Sequence, residues 1–234
     1  IDTIISYYQD PEREKAFREW YLERYGKEDQ KECNEMNNLI ESIESMCNES
    51  EQNATAILAK IKAAIQNSKK PDFSKIKDGE HFIYRGIEFI RLGLEQGGVL
   101  CITAKAIGEF EFDEDNCNDW RKSSARKLLN SDFLAKLNPD DLLPYESDLT
   151  ADNGDTAYGK CVDKVGILSC DLYRKYRKFV PLYKEWMWTC TPWHCGTPRS
   201  GAANNVRLVC TYGTLNFSNA RNAYGLAPAC IFHL

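Results

Sequence analysis

Apolar residues in the first seventy positions recur at spacings of three and four, and from about position 80 that rhythm gives way to short alternating runs. The first rhythm belongs to helices with one buried stripe, the second to strands. Asp10-Pro11 opens a helix that carries Phe17, Trp20 and Tyr21 as far as about Arg24 and ends at Gly26, because proline suits a first helical turn and glycine an exit. A second helical run, from about Glu28 to Asn67, sets Met36, Leu39, Ile43, Met46, Ile57, Ile61 and Ala64 along a seam interrupted by the polar stretch 48–53. That seam suits either a hairpin packed within its own domain or an oligomerisation stalk, and the interruption leaves it short of sustained heptads. Ser68-Lys69-Lys70-Pro71 breaks the helical pattern. The pattern therefore predicts a helical region over 1–70 and a second domain over 76–234.

In the second region 81–85, 87–91 and 99–104 are runs of β-formers, the last two joined across Glu95-Gln96-Gly97-Gly98 as a hairpin. A further strand over 108–112 leads into the acidic Asp113-Glu114-Asp115. Asn118 reads as the cap of a helix burying Trp120, Leu128 and Leu129, and Ser131 as the cap of a shorter one carrying Phe133, Leu134 and Leu137. Residues 145–160 read as a polar loop and 162–168 as a strand. Ser169 then caps a helix with Leu172, Tyr173, Tyr176 and Phe179 on one face and Arg174, Lys175, Arg177 and Lys178 on the other, ended by Pro181. Short strands with two or more helices predict an α+β class.

The segment 186–234 is organised differently, as a frame with irregular insertions. Trp186, Trp188, Pro192, Val206, Val209, Gly213, Leu215, Ala220, Gly225, Pro228, Ile231 and Phe232 are of the kinds that pin strands and turns. Between them lie small or polar residues, five of them asparagines: Asn204, Asn205, Asn216, Asn219 and Asn222. A frame that needs none of these leaves them free to face outward. Interfaces concentrate affinity in Trp, Tyr and Arg on a rigid support, which makes Trp193, Tyr212, Tyr224, Arg199, Arg207 and Arg221 candidate anchors, with Trp193 and Phe217 alternatively ordinary core.

The order W-x-C-T-P, then N-x-V-R-x-V-x-x-x-G-x-L and G-x-A-P-A, resembles the end of bacterial and phage domains of the DUF6273 type. Upstream, Asn118-x-Trp120-x-x-Ser123-x-x-Arg126-x-x-Leu129-Asn130 and Val165-x-Ile167-Leu168-Ser169 fit the same resemblance, which covers about 78–234. It implies a C-type lectin-like fold of the formylglycine-generating-enzyme variety. A subset of such domains are variable proteins of diversity-generating retroelements, in which adenine-directed mutagenesis rewrites Asn-type codons near the C-terminus. The resemblance then implies an exposed, ligand-binding set: His194, Thr197, Arg199, Asn205, Leu208, Cys210, Asn216, Phe217, Ser218, Asn219, Arg221, Asn222 and Tyr224. With Trp193 and Tyr212 these form the candidate site, facing solvent together on one surface, for a protein or glycan ligand. Trp188, Pro192, Gly213, Gly225 and Pro228 are then expected to be buried or at turns. A structural virion or cell-surface module on the same fold is the alternative.

Charge sharpens this only a little. Residues 161–234 carry three acids against nine bases, and no acid follows Glu185, so an acidic partner would be steered there. Three arginines without a basic run do not make a nucleic-acid footprint. No apolar stretch approaches the ~20 residues of a membrane span. The ten cysteines show no C-x-x-C spacing and several sit in apolar context, which favours reduced thiols acting as small hydrophobes, made in a reducing cytoplasm. The carboxylates at 113–115 and in Asp152-Asn153-Gly154-Asp155 read as turns, with a calcium site at 145–160 left open. No cofactor or metal is expected. Cys190, His194 and Cys195 give the one enzymatic alternative, a cysteine nucleophile with a neighbouring base, but neither this trio nor any phosphate loop or nucleophile elbow completes a known pattern. A non-enzymatic recognition protein is the expectation.

Overall fold

The computed structural model describes residues 70–196 and 203–234, together with the helical positions Glu12, Lys15, Ala16 and Asn38. The chain divides into two compact units, 1–66 and 67–234. Beyond those four positions, the predicted helices of the first unit, and any oligomer seam in them, lie outside the described residues.

The second unit is α+β and mostly sheet. Its described strands are β1 (His81–Tyr84), β2 (Ile87–Glu95), β3 (Gly98–Thr103), β4 (Glu109–Glu111), β5 (Leu142–Leu143), β6 (Tyr145–Asp148), β7 (Lys160–Asp163), β8 (Val165–Gly166), β9 (Met187–Pro192), β10 (Asn205–Val209), β11 (Leu215–Asn219), β12 (Ala223–Gly225) and β13 (Ala229–Phe232). Two short α-helices accompany them, α1 (Ser124–Leu128) and α2 (Cys170–Tyr176). One sheet runs β1-β2-β3-β13-β5 with β8 also on β13; a second runs β11-β10-β9-β12-β4; β6 and β7 pair by themselves. The β2–β3 hairpin turns at Gln96 and Gly97, with φ of 49° and 84°, the conformation that a type I′ turn requires and that fits the right-handed twist of its strands.

The inner strands β3 and β13 of the first sheet are buried on both faces, which is why they read as continuous apolar runs. Val99, Cys101, Cys230 and Phe232 enter one core with Trp120, Trp188, Val206 and Leu208, while Leu100, Ile102, Ala229 and Ile231 enter another with Tyr173, Tyr176 and Met187. Phe232 is the hub of the first, its ring centroid 5.2–6.0 Å from those of Phe73, Phe82, Tyr84 and Phe89. Strand β9 lies between the two cores, sending Met187 to one and Trp188 and Cys190 to the other.

Four local expectations are corrected. Asn118 caps no helix: Ser123 does, its Oγ accepting from the Arg126 N–H, because the Asn118 amide is committed elsewhere. Ser131 sits inside a π-helical turn, 129–133, and its hydroxyl donates back to the Lys127 carbonyl. Residues 145–148 are strand, not loop; Tyr145 and Ser147 point inward while Glu146 pairs with Lys160 across the ladder. The expected strand 162–168 splits into β7 and β8, which join different sheets, because Val162 faces solvent and Arg126 draws Asp163 aside with contacts of 2.6–3.0 Å. Ser169 does cap α2, accepting from the Leu172 N–H.

Truncating the hub should be costly. Phe232→Ala is expected to destabilise the second unit by about 3–5 kcal/mol, measurable as a fall in the denaturation midpoint with unchanged slope.

Candidate functional site

Strands β9, β10 and β11 carry most of the predicted site, and pleating decides which side chains share a face. In β10, Val206 and Leu208 turn into the core, so Asn205, Arg207 and Val209 turn the other way. The antiparallel register sets Phe217 opposite Arg207, Asn219 opposite Asn205 and Leu215 opposite Val209. Lower on this outer face, Val209 and Leu215 pack against the core that holds Leu168, Tyr173 and Val180, and α2 begins where the Cys170 N–H donates to Thr191 Oγ1. Among the described residues, Trp193, Arg207 and Phe217 in the upper half belong to neither core.

There Trp193 and Phe217 meet at 4.2 Å between ring centroids, and the Arg207 guanidinium lies 5.2 Å from the Trp193 ring. Asp152 approaches from a neighbouring turn, its carboxylate 3.3 Å from Arg207 Nε at an angle that is not that of a hydrogen bond. Asp152 is itself fixed by its backbone N–H, which donates to the Pro192 carbonyl.

A buried amide holds the end of this face. Asn118, fully buried, donates from Nδ2 to the carbonyls of His194 and Asn205, 2.9 Å each, and accepts from the Tyr158 hydroxyl at 2.9 Å. That hydroxyl also accepts from the Gly196 N–H, and burial raises its pKa. The Trp193 N–H meanwhile donates to the Asn205 carbonyl. One side chain therefore ties the end of β9 to the start of β10, with every polar atom of its amide satisfied.

The predicted residues do not all share this surface. Trp193, Asn205, Phe217 and Asn219 do, together with Arg207, which was an anchor candidate outside the exposed set. Asn216 and Ser218 point to the opposite side of β11, the side of Leu208 and Val206. There Ser218 Oγ bonds the Tyr224 hydroxyl and accepts from Asn222 Nδ2, so the expected single surface is two. Tyr224 is half-buried, stacked on Trp186 at 5.8 Å and edge-on to Trp188 at 5.0 Å. Tyr212, 84% exposed, sits at the hairpin tip, and Arg221 in the next turn is exposed. His194 is half-buried, with Nδ1 3.2 Å from the Cys195 carbonyl.

Leu208 and Cys210, expected in the exposed set, are instead core, at 0% and 7% exposure; the alternation that turns Arg207 outward turns Leu208 inward. Thr197 and Arg199 lie outside the described residues. The frame positions behave as frame: Trp188, Pro192, Gly225 and Pro228 are buried and Gly213 turns the β10–β11 hairpin with φ 79°. A Cβ at Gly225 would stand 2.4 Å from the Met187 sulfur. Asp152 and the Asn118–Tyr158 pair were missed, since each comes from a distant loop; the strict alternation Asn205-Val206-Arg207-Leu208 was the available signal for Arg207.

The thiols nearest the site are not poised as nucleophiles. Cys190 and Cys195 are buried, burial pushes both upward in pKa, and their Sγ atoms face the Asp148 and Asp155 carbonyls; an attacking cysteine needs the opposite shift. No disulfide joins any two of the eight described cysteines. Among the described residues no group of three or more His, Cys, Asp or Glu is placed to hold a metal ion, and the carboxylates of Asp152-Asn153-Gly154-Asp155 serve their own turn, Asn153 Oδ1 accepting from the Asp155 N–H. No helix of the described residues is long and apolar enough to cross a membrane. The chain matches no family model, no curated protein and no solved structure.

Two contrasts follow in stability. Leu208→Asn is expected to cost more than about 3 kcal/mol, whereas Asn216→Ala and Arg221→Ala each shift it by about 0.5 kcal/mol or less; urea melts of the three variants check this. Asn118→Ala leaves two carbonyls and a hydroxyl short of a partner and is expected to cost at least about 2 kcal/mol, with faster amide hydrogen exchange at Trp193 and Gly196 than at β3.

Proposed function

We propose that the second unit is a C-type lectin-like recognition domain of the formylglycine-generating-enzyme variety, serving without catalysis as the variable, ligand-binding protein of a diversity-generating retroelement. The observation that carries this is the upper half of the β9-β10-β11 face, where Trp193, Arg207 and Phe217 stand clustered outside both cores of the described residues, on a hydrogen-bonded frame with asparagines beside them. Trp and Arg are the residues through which interfaces concentrate affinity, and asparagine supplies adaptable hydrogen bonds around such anchors. The frame does not draw on Asn216, Phe217, Arg221 or Asn222 for its core, so their identity is free to change. The separate Ser218-Asn222-Tyr224 group gives the same segment a second, more polar edge.

The genome around the coding sequence tests the proposal. A reverse transcriptase gene and a near-copy of the 3′ end of the coding sequence, differing from it at adenines, are expected beside it; finding neither removes the retroelement. In the protein, simultaneous replacement of Asn216, Phe217, Asn219, Arg221 and Asn222 is expected to keep the fold, with a melting temperature within a few degrees of the parent. Unfolding of that variant would end the display reading.

A further inference from the structure

Arg207 is an outlier among the arginines of this unit. Its side chain is 13% exposed, yet none of its five N–H donors makes a hydrogen bond among the described residues; it has only the 3.3 Å charge contact with Asp152 and the Trp193 ring. Arg126 by comparison gives three bonds to Asp163 and a fourth to the Arg121 carbonyl. Arg121 grips both oxygens of Asp119, and Arg91 donates to the carbonyls of Phe73 and Ile76. A guanidinium withdrawn from water normally recovers its hydration through such bonds. At Arg207 the planar fork is kept in place by aromatic stacking, with its bidentate capacity unspent.

Resting on the recognition reading above, we infer that Arg207 is the receptor for a carboxylate, and that the partner is a protein whose Asp or Glu side chain reaches the guanidinium alongside the Trp193–Phe217 pair, with an apolar neighbour against the rings. Charge complementarity favours an acidic occupant, since the segment after Glu185 contains no acid and the one carboxylate beside the guanidinium, Asp152, takes no hydrogen bond from it and leaves its N–H donors to another acceptor. The flanking rings favour a protein over a charged sugar: Trp193 and Phe217 are packed on each other at 4.2 Å, tilted by 41°. With Phe217 43% exposed, they present an apolar rim to a neighbouring side chain.

Three probes separate the outcomes on the full chain, followed by proton–nitrogen NMR at matched ionic strength through the Arg207 Nε–H and Trp193 indole resonances. They are the blocked dipeptide acetyl-Glu-Leu-amide, its Gln counterpart and glucuronic acid. The Glu peptide is expected to shift both resonances at least about ten-fold more tightly than the Gln peptide, and Arg207→Lys, which keeps the charge but loses the fork, to weaken it by about ten-fold. Trp193→Ala, which leaves the guanidinium, is expected to weaken the Glu peptide while preserving its preference over Gln. Equal response to Glu and Gln, no shift with the Glu peptide up to its solubility limit, or undiminished binding by Arg207→Lys overturns the inference. Tighter binding of glucuronic acid than of the Glu peptide also overturns it and reassigns the face to acidic glycans. Failure here is distinct from failure of the display reading, which is decided by the folding of the multiply replaced variant.

Discussion

Strand β10 has to bury Val206 and Leu208, and much of the surface geometry follows from that requirement. A pleated strand sends neighbouring side chains to opposite faces, so driving those two inward fixes Asn205 and Arg207 outward. A slip by one residue would bury an arginine and an asparagine and expose two core residues, which is why the register has no freedom while the outward chemistry does. The β9 bulge between Trp188 and Pro192 lets Trp193 reach the same face. The ladder of Asn118 then fixes the ends of β9 and β10 against each other, where bulges are commonly used to re-aim side chains.

Arg207 shows how such a frame handles an awkward group. Desolvating a guanidinium without bonds is unfavourable, and the structure offsets only part of that cost through the Trp193 ring and the Asp152 charge. Elsewhere in the unit Arg91, Arg121 and Arg126 each donate at least two side-chain hydrogen bonds to carbonyls or carboxylates. Stability alone would have favoured a better acceptor or an aliphatic residue at that position, so the incomplete pairing is informative about what the face is for.

The sequence made β1 to β4, the α2 cap at Ser169 and the turn glycines legible, because each depends on local chemistry: alternation, a hydroxyl before a helix, a positive φ. It concealed what depends on distant partners. Asn118 looks like any helix cap until the His194 and Asn205 carbonyls arrive from 76 and 87 residues away. Tyr145-Glu146-Ser147-Asp148 looks like loop because its inward positions include a serine and its outward positions are charged. The resemblance implies an exposed Leu208, but the period of β10 turns it inward, and the same alternation sends Asn216 and Ser218 to the side of β11 away from Phe217.

The position of β13 gives the segment before it a further property. This strand is interior to the first sheet, hydrogen-bonded to β3 on one side and to β5 and β8 on the other, and it is encoded downstream of every residue of β9, β10 and β11. A premature stop or a frameshift anywhere in 186–228 therefore removes the middle of a sheet rather than trimming an edge. Defective copies would be left with unfilled cores and open strand edges, the features by which cellular proteases recognise failed chains. Because β13 follows that stretch in the chain, completion of the first sheet depends on an intact reading frame through 186–228.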